Sequence, residues 1–146
     1  MLMTDPPPDD RAIEYTLRVR YAETDAMAVA HHASYIVWLE QGRTELLRAC
    51  GTSYRAIEAA GFFVVLTELQ ARYHAAARYD DLVVVRTALA GLRSRGLSFA
   101  YELRLAERGA PLLTARSEHI FVARATGRPT RPPPELLAAL RDIGTP

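Results

Sequence analysis

The chain of 146 residues has a formal net charge of +1 and a single cysteine, Cys50. This length suits one domain with a sizeable core, and the near-neutral charge argues against a nucleic-acid binder. A lone cysteine excludes an internal disulfide. No apolar stretch approaches the roughly 20 residues of a membrane-spanning helix, and residues 1–10 lack the pattern of a signal peptide. We therefore expect a cytoplasmic protein.

The first half of the chain predicts one strand followed by one long helix. Apolar and polar residues alternate over residues 13–21, which is typical of a strand with one buried face. The proline-rich residues 1–12 ahead of it predict a flexible arm. Apolar residues at three- and four-residue spacings over residues 34–50 predict an amphipathic helix. Gly42 inside this helix indicates a close approach to another element.

The second half predicts a short helix, four strands and a further short helix. Glycines and polar residues separate the last three strands, and their spacing is typical of antiparallel hairpins. One long helix can cover only one face of such a sheet, so we expect an α+β architecture in which at least a homodimer covers the remaining surface. The short helices are residues 54–60 and 135–142, and the strands are residues 62–73, 82–89, 97–105 and 112–123.

The residues between the first strand and the long helix are suited to acyl chemistry. Asp25 lies in a loop of small residues, and His31 and His32 follow it at the start of the helix. The first N–H groups of a helix have no partners within the helix and can hold a developing oxyanion. The alternative is that Asp25 only caps the following turn. Adjacent histidines are poorly spaced for one metal, so no metal site is expected.

Three motifs in this region resemble those of a known family. They are Tyr-x-Glu-Thr-Asp-Ala at residues 21–26, His-Ala-Ser-Tyr at residues 32–35 and Glu-Gln-Gly-Arg-Thr-Glu at residues 40–45. They resemble the hotdog-fold acyl-CoA thioesterases, specifically the 4-hydroxybenzoyl-CoA thioesterase family and its Tol-Pal-associated branch. The resemblance implies a five-stranded antiparallel sheet wrapped around one long helix over residues 13–125, with a C-terminal extension over residues 126–146.

The resemblance also implies roles for single residues. Asp25 occupies the position of the family's catalytic aspartate, which acts as nucleophile or as general base toward water. The residue at His32 begins the helix, and its backbone N–H polarises the thioester carbonyl, with its imidazole as a further candidate. Independently of the resemblance, Tyr35 is a candidate to contact the substrate in the acyl pocket, and the alternative is an ordinary core residue. Glu40 is the alternative catalytic carboxylate, although an ion pair with Arg43 is the favoured interpretation. His31 departs from the aromatic residue often found at its position.

Coenzyme A is expected to bind through basic side chains near the surface. Arg93 and Arg95 match the position of a basic hairpin that contacts nucleotide phosphates in the resembled family, and arginine suits bidentate phosphate contacts. The alternative is a solvated hairpin with ordinary charges. No cofactor is expected, because coenzyme A enters as part of the substrate. The family pairs its sheets side by side, which implies a homodimer or homotetramer with active sites at the subunit interface.

The sequence therefore predicts an acyl-CoA thioesterase, with two alternatives left open. One is a thioesterase that releases a fatty or polyketide chain from an acyl carrier protein, which would require a wider basic face around the entrance. The other is a non-catalytic hotdog module that binds acyl-CoA, in which Asp25 is structural. A hotdog dehydratase is disfavoured, because the motif around Asp25 fits hydrolysis better.

Overall fold

The computed structural model describes residues 12–107 and 109–142. A 3-10 turn, Tyr21–Glu23, follows the first strand. The predicted N-terminal arm lies outside the described residues except for Ala12, with which the first strand begins. The elements in chain order are β1 (Ala12–Arg18), α1 (His32–Ala49), α2 (Tyr54–Ala59), β2 (Phe62–Tyr73), β3 (Leu82–Arg93), β4 (Gly96–Leu105), β5 (Pro111–Ala123) and α3 (Pro134–Arg141).

The five strands form one antiparallel sheet in the order β1-β3-β4-β5-β2. The predicted strands are confirmed within a few residues, and the largest difference is at the end of β3. This strand was expected to stop at Leu89, but an irregularity between Leu89 and Gly91 lets the pairing with β4 continue to Arg93. None of the described helices is both long enough and apolar enough to span a membrane.

The long helix α1 packs across the sheet and forms the core with it, as an α+β architecture requires. A Cβ at Gly42 would lie 2.8 Å from Cγ1 of Val85, and even closer to Oγ1 of Thr87. Only glycine allows the helix to approach β3 so closely, which confirms the prediction made for this position. The apolar side chains of α1 that are fully buried against the sheet are Trp38, Leu39, Leu46 and Leu47.

The first strand ends earlier than its sequence pattern predicts. The alternation was expected to continue to Tyr21, but β1 ends at Arg18 and the side chain of Tyr21 is 76% exposed in the following 3-10 turn. The backbone N–H of Val19 donates to the carbonyl of Asp81, just ahead of β3, over 2.9 Å. This contact holds the turn, and the loop that follows it, at the end of the sheet where β3 begins.

Candidate active site

Asp25 opens a tight loop that connects the 3-10 turn to α1. Thr24 and Ala30 form an isolated antiparallel bridge that closes the loop. Inside the bridge, the N–H of Asp25 donates to the carbonyl of Val29 over 2.9 Å, and the N–H of Ala28 donates to the carbonyl of Asp25 over 3.0 Å. Ala28 has a φ of 62°, in the left-handed region, so a small side chain suits this position.

The Asp25 carboxylate is half-buried and uses one of its two oxygens within the loop. Oδ1 accepts a hydrogen bond from the N–H of Met27 over 2.8 Å, which is the turn-capping contact expected of a structural aspartate. Oδ2 accepts no hydrogen bond from the described residues. One oxygen therefore fixes the orientation of the carboxylate, and the other remains available to a water molecule or an acyl carbon.

The start of α1 leaves the N–H of His32 without an acceptor among the described residues. The N–H of Ala33 donates to Nδ1 of His31 over 3.0 Å, and the N–H of Ser34 donates to the carbonyl of His31 over 2.9 Å. The family resemblance implies that the N–H of His32 polarises the thioester carbonyl, and it is not engaged by another of the described residues.

Glu23 holds the loop against α1. Its Oε2 accepts from Nε1 of Trp38 over 2.7 Å, and its backbone carbonyl accepts from the N–H of His31 over 2.7 Å and from Oγ of Ser34 over 3.0 Å. Only 8% of Glu23 is exposed, although it is a charged residue close to a predicted strand. It follows the end of β1, where the alternation of buried and exposed residues no longer applies.

Two tyrosines fix the helix start from the other side. Tyr73, at the end of β2, donates its hydroxyl hydrogen to the carbonyl of His32 over 2.8 Å. The hydroxyl of Tyr35 accepts from the N–H of Ala77 over 2.9 Å, and the Ala77 carbonyl accepts from the N–H of Ala30 over 2.8 Å. Burial raises the pKa of Tyr35 and the Ala77 hydrogen bond lowers it, while repulsion from the nearby Asp25 carboxylate raises it further.

The side chains of the two histidines lie together at the surface. Their rings are exposed, with centroids 4.1 Å apart. No group of three or more metal-binding side chains occurs among the described residues.

Glu40 lies further along α1 than the other candidates. It is exposed and eight residues beyond His32, which corresponds to about 12 Å along the helix axis. The favoured ion pair with Arg43 is wrong. Arg43 points into the core and donates to the hydroxyls of Tyr54 and Tyr101, each over 3.2 Å. Arg43 is therefore a charged residue of α1 that is buried in the core.

The predicted coenzyme A residues lie at the opposite end of the sheet from Asp25. The twelve residues of β3 span roughly 35 Å from the loop end to the hairpin that carries Arg93 and Arg95. Nη1 of Arg93 lies 3.0 Å from a carboxylate oxygen of Glu118, and this pair holds its side chain on the sheet. Arg95 occupies the exposed turn, and its side chain makes no hydrogen bond or ion pair with the described residues. Within one chain, Arg93 and Arg95 are not brought together with Asp25.

An antiparallel sheet of order β1-β3-β4-β5-β2 wrapped around one long helix is the architecture of the hotdog-fold thioesterases. The family model of the thioesterase-like superfamily matches residues 19–140. The chain belongs to this superfamily, and the predicted family resemblance is confirmed.

Individual relatives support the same assignment. The acyl-CoA thioester hydrolase YbgC of Escherichia coli is 36% identical over 93 residues, which are 64% of this chain and 69% of that protein. The acyl-CoA thioesterase YbgC of Haemophilus influenzae is 30% identical over 92% of this chain and 98% of its own length. The crystal structure of hypothetical protein TT1821 from Thermus thermophilus is 37% identical, with a TM-score of 0.84 over 89% of this chain and 98% of that one.

Proposed function

We propose that this chain hydrolyses acyl-CoA thioesters with Asp25 as the reacting carboxylate and the N–H of His32 as the oxyanion donor. Acyl-CoA thioesterase activity is supported by the family to which the chain belongs and by its named relatives. The observation that carries the residue assignment is the pair of free groups beside the Thr24–Ala30 bridge. One is Oδ2 of Asp25, and the other is the N–H of His32.

The two groups supply what thioester hydrolysis requires. The N–H of His32, at the positive end of the α1 dipole, stabilises the oxygen as the carbonyl carbon becomes tetrahedral. In one route Asp25 removes a proton from water, the water oxygen bonds to the carbonyl carbon, and the C–S bond breaks to release the thiolate. In the other route the carboxylate oxygen bonds to the acyl carbon, the thiolate leaves, and water hydrolyses the resulting anhydride. Either route ends in the free acid and coenzyme A.

The test is thiol release from a panel of acyl-CoA esters by the native chain and by Asp25→Asn. An asparagine oxygen can still accept from the N–H of Met27, so the loop should keep its shape. We expect a loss of roughly 10²-fold or more in kcat. Glu58→Gln, an exposed carboxylate of α2, is the matched control and should keep full activity. Binding of acyl-CoA without thiol release by the native chain would instead indicate the non-catalytic module.

Labelled water can reveal the anhydride route. A single turnover in ¹⁸O water, followed by mass analysis of the peptide that contains Asp25, should find label in its carboxylate only if an anhydride forms and water attacks on the Asp25 side. Label confined to the released acid fits the general base and equally an anhydride that water attacks at the acyl carbon. The same assay with an acylated carrier protein in place of acyl-CoA decides between the two acyl donors.

The edge strand β2 supports a homodimer as the active form. Charged side chains on the sheet face opposite α1 form ion pairs, such as Arg104 with Glu14 over 3.2 Å, so that face can remain in water. The unpaired edge of β2 is different, because it exposes large apolar side chains next to free backbone groups. These side chains are Phe63, Val65, Leu66 and Tyr73.

Antiparallel pairing of β2 with its copy explains how the distant arginines could serve Asp25. A twofold axis would place the Phe62 end of the partner's strand beside Tyr73, and therefore beside the start of α1. Phe62 pairs with Ala123 of β5, at the same end of the sheet as the β3–β4 hairpin. Arg95 of the partner subunit would then lie within reach of coenzyme A bound at this subunit's site.

In this dimer one subunit contacts the nucleotide of coenzyme A and the other carries Asp25, so the two contributions can be tested separately. Arg95→Ala should raise KM for acyl-CoA roughly tenfold, because a charge-assisted phosphate contact contributes about 1.5–3 kcal/mol. KM for the matching acyl-pantetheine, which lacks the nucleotide, should not change. A native chain that sediments as a monomer while fully active would contradict the shared site, whereas a tetramer would be compatible with it.

A further inference from the structure

We propose that His31 is a positioning residue for the oxyanion donor, a deduction that rests on the proposed function. His31 is the N-cap of α1, with φ −61° and ψ 140°, and its Nδ1 accepts the N–H of Ala33 over 3.0 Å. Its carbonyl accepts the N–H of Ser34 over 2.9 Å. Two of the first three donors of the helix are thereby occupied by one residue, and of these three only the N–H of His32 has no acceptor among the described residues.

Histidine is an uncommon choice for this position. Serine, threonine, aspartate and asparagine are the strongly preferred N-caps, and α2 of this chain uses one of them, since Oγ of Ser53 accepts the N–H of Ala56 over 3.0 Å. An imidazole can replace these groups only through a ring nitrogen that carries no proton. Acceptance at Nδ1 therefore places the proton of the neutral ring on Nε2.

The difference between an imidazole and a carboxylate matters at this site. An aspartate N-cap would bring a second negative charge to the place where the oxyanion develops and where Asp25 already carries one. Like charges repel each other, so a fixed negative charge at the helix start opposes the development of another one there. A neutral imidazole caps the helix without that repulsion, so His31 leaves the positive end of the helix dipole for the reacting oxygen.

His31 is itself held firmly enough to position its neighbour. Its backbone N–H donates to the carbonyl of Glu23 over 2.7 Å, and its ring lies against the ring of His32 at 4.1 Å. The hydroxyl of Tyr73 fixes the next carbonyl of the helix. The peptide that carries the His32 N–H is therefore fixed on both sides, and its direction depends on the cap.

Three substitutions separate capping from charge. His31→Asn keeps an uncharged acceptor and should retain kcat within about threefold. His31→Ala removes the acceptor of the Ala33 N–H, so the peptide that carries the His32 N–H is held less firmly and kcat should fall about tenfold. His31→Asp keeps the cap but adds a charge, and should lower kcat at least tenfold. KM should change less than twofold in all three, because the effect falls on the developing oxyanion.

Ser53→Ala is the matched control, because it removes an N-cap from α2 and should destabilise the chain to a similar extent with no change in kcat. Equal kcat values for His31→Ala and the native chain, or equal losses for His31→Asn and His31→Asp, would overturn the inference. Asp25→Asn is measured in the same series. If that variant keeps its activity, the proposed catalytic residue fails, independently of the outcome at His31.

Discussion

Trp38 donates its indole N–H to Oε2 of Glu23 over 2.7 Å, which joins the second turn of α1 to the segment just before Asp25. The other carboxylate oxygen of Glu23 accepts from the backbone N–H of Arg20 over 2.8 Å. A buried carboxylate with both oxygens hydrogen-bonded is stable as an anion. The loop that carries Asp25 and the helix α1 are therefore connected through one side chain.

Glu23→Gln should destabilise the chain and lower kcat. An amide can offer only one oxygen to the two donors, so either the indole N–H or the Arg20 N–H loses its acceptor, at a cost of about 1–3 kcal/mol. Urea unfolding and steady-state kinetics at neutral pH check both effects. Glu58→Gln, exposed on α2, is the control. Unchanged stability of Glu23→Gln would show that this contact does not hold the loop.

The environment of the Glu23 carboxylate also predicts that the stability of the chain falls in acid. Burial alone would raise the pKa of Glu23. Hydrogen bonds from the Arg20 backbone and from Trp38, together with the Arg20 charge, have the larger effect and hold this pKa below the ordinary 4.5. The stabilisation is therefore complete above about pH 4.5 and is lost as the pH falls through the lowered value. Urea unfolding of native and Glu23→Gln chains should converge as the pH falls through that range, and a constant difference would contradict this.

Tyr73→Phe should lower kcat several-fold while costing only about 0.5–1.5 kcal/mol of stability. The change removes the hydrogen bond to the carbonyl of His32 and keeps the ring contact with Tyr35, whose centroid lies 5.2 Å away. Kinetics and sedimentation of the same sample separate a local effect from a change of assembly. Tyr79→Phe is the control, because this exposed ring makes a contact with Tyr21 but its hydroxyl makes no hydrogen bond with the described residues. Equal kcat values for both variants would contradict a positioning role.

Gly42→Ala tests the close approach of α1 to β3. The new methyl group would overlap Oγ1 of Thr87 and Cγ1 of Val85, so helix and strand must separate, at a cost of about 1–3 kcal/mol. A more stable variant would be expected if only helix propensity mattered. Thr87→Ala should recover part of the loss in the double variant, and additive free energies of unfolding would contradict direct contact.

Local patterns predicted most of the fold, because they reflect which side chains are buried. The alternation in β4 and the three- and four-residue spacing in α1 each correspond to one buried face, and both elements lie within two residues of their predicted bounds. The end of β1 was missed, since Arg18 and Arg20 continue an alternating pattern that the backbone does not follow. The alternation of apolar and polar residues does not indicate where a strand ends and a 3-10 turn begins.

The candidate site was predictable only in part. Asp25 and the helix start are close in sequence, so their proximity follows from the loop between them. The contact of Tyr73 with His32 joins residues 41 positions apart, and no spacing pattern indicates it. The burial of Glu23 and Arg43 was missed for a related reason, because their partners, Trp38 and Tyr101, lie on other elements.

His119 predicts a second loss of stability in acid. It is 1% exposed, and its Nε2 lies 2.8 Å from Oγ of Ser117, which in turn lies 2.6 Å from the hydroxyl of Tyr101. Burial and, to a lesser degree, the charge of Arg43 lower the pKa of His119 from 6.5 to about 4, against a small opposing effect of Glu118. Nδ1 of His119 has no partner among the described residues, so nothing there compensates a second ring proton.

The free energy of unfolding falls in acid because the unfolded chain binds a proton at His119 before the folded chain does. Above pH 6.5 the ring is neutral in the folded and unfolded chains, and stability does not depend on it. Between pH 6.5 and about 4 only the unfolded chain takes up the proton, so the free energy of unfolding falls by about 1.4 kcal/mol per pH unit. From pH 7 to pH 5 the native chain should lose about 2 kcal/mol that His119→Gln does not lose, as measured by urea unfolding at one protein concentration. His74→Gln is the control, because His74 is exposed just after the end of β2 and, among the described residues, its ring hydrogen-bonds only Thr114 of β5. This variant should show the same loss as the native chain. An equal loss in His119→Gln would place the acid sensitivity elsewhere in the chain.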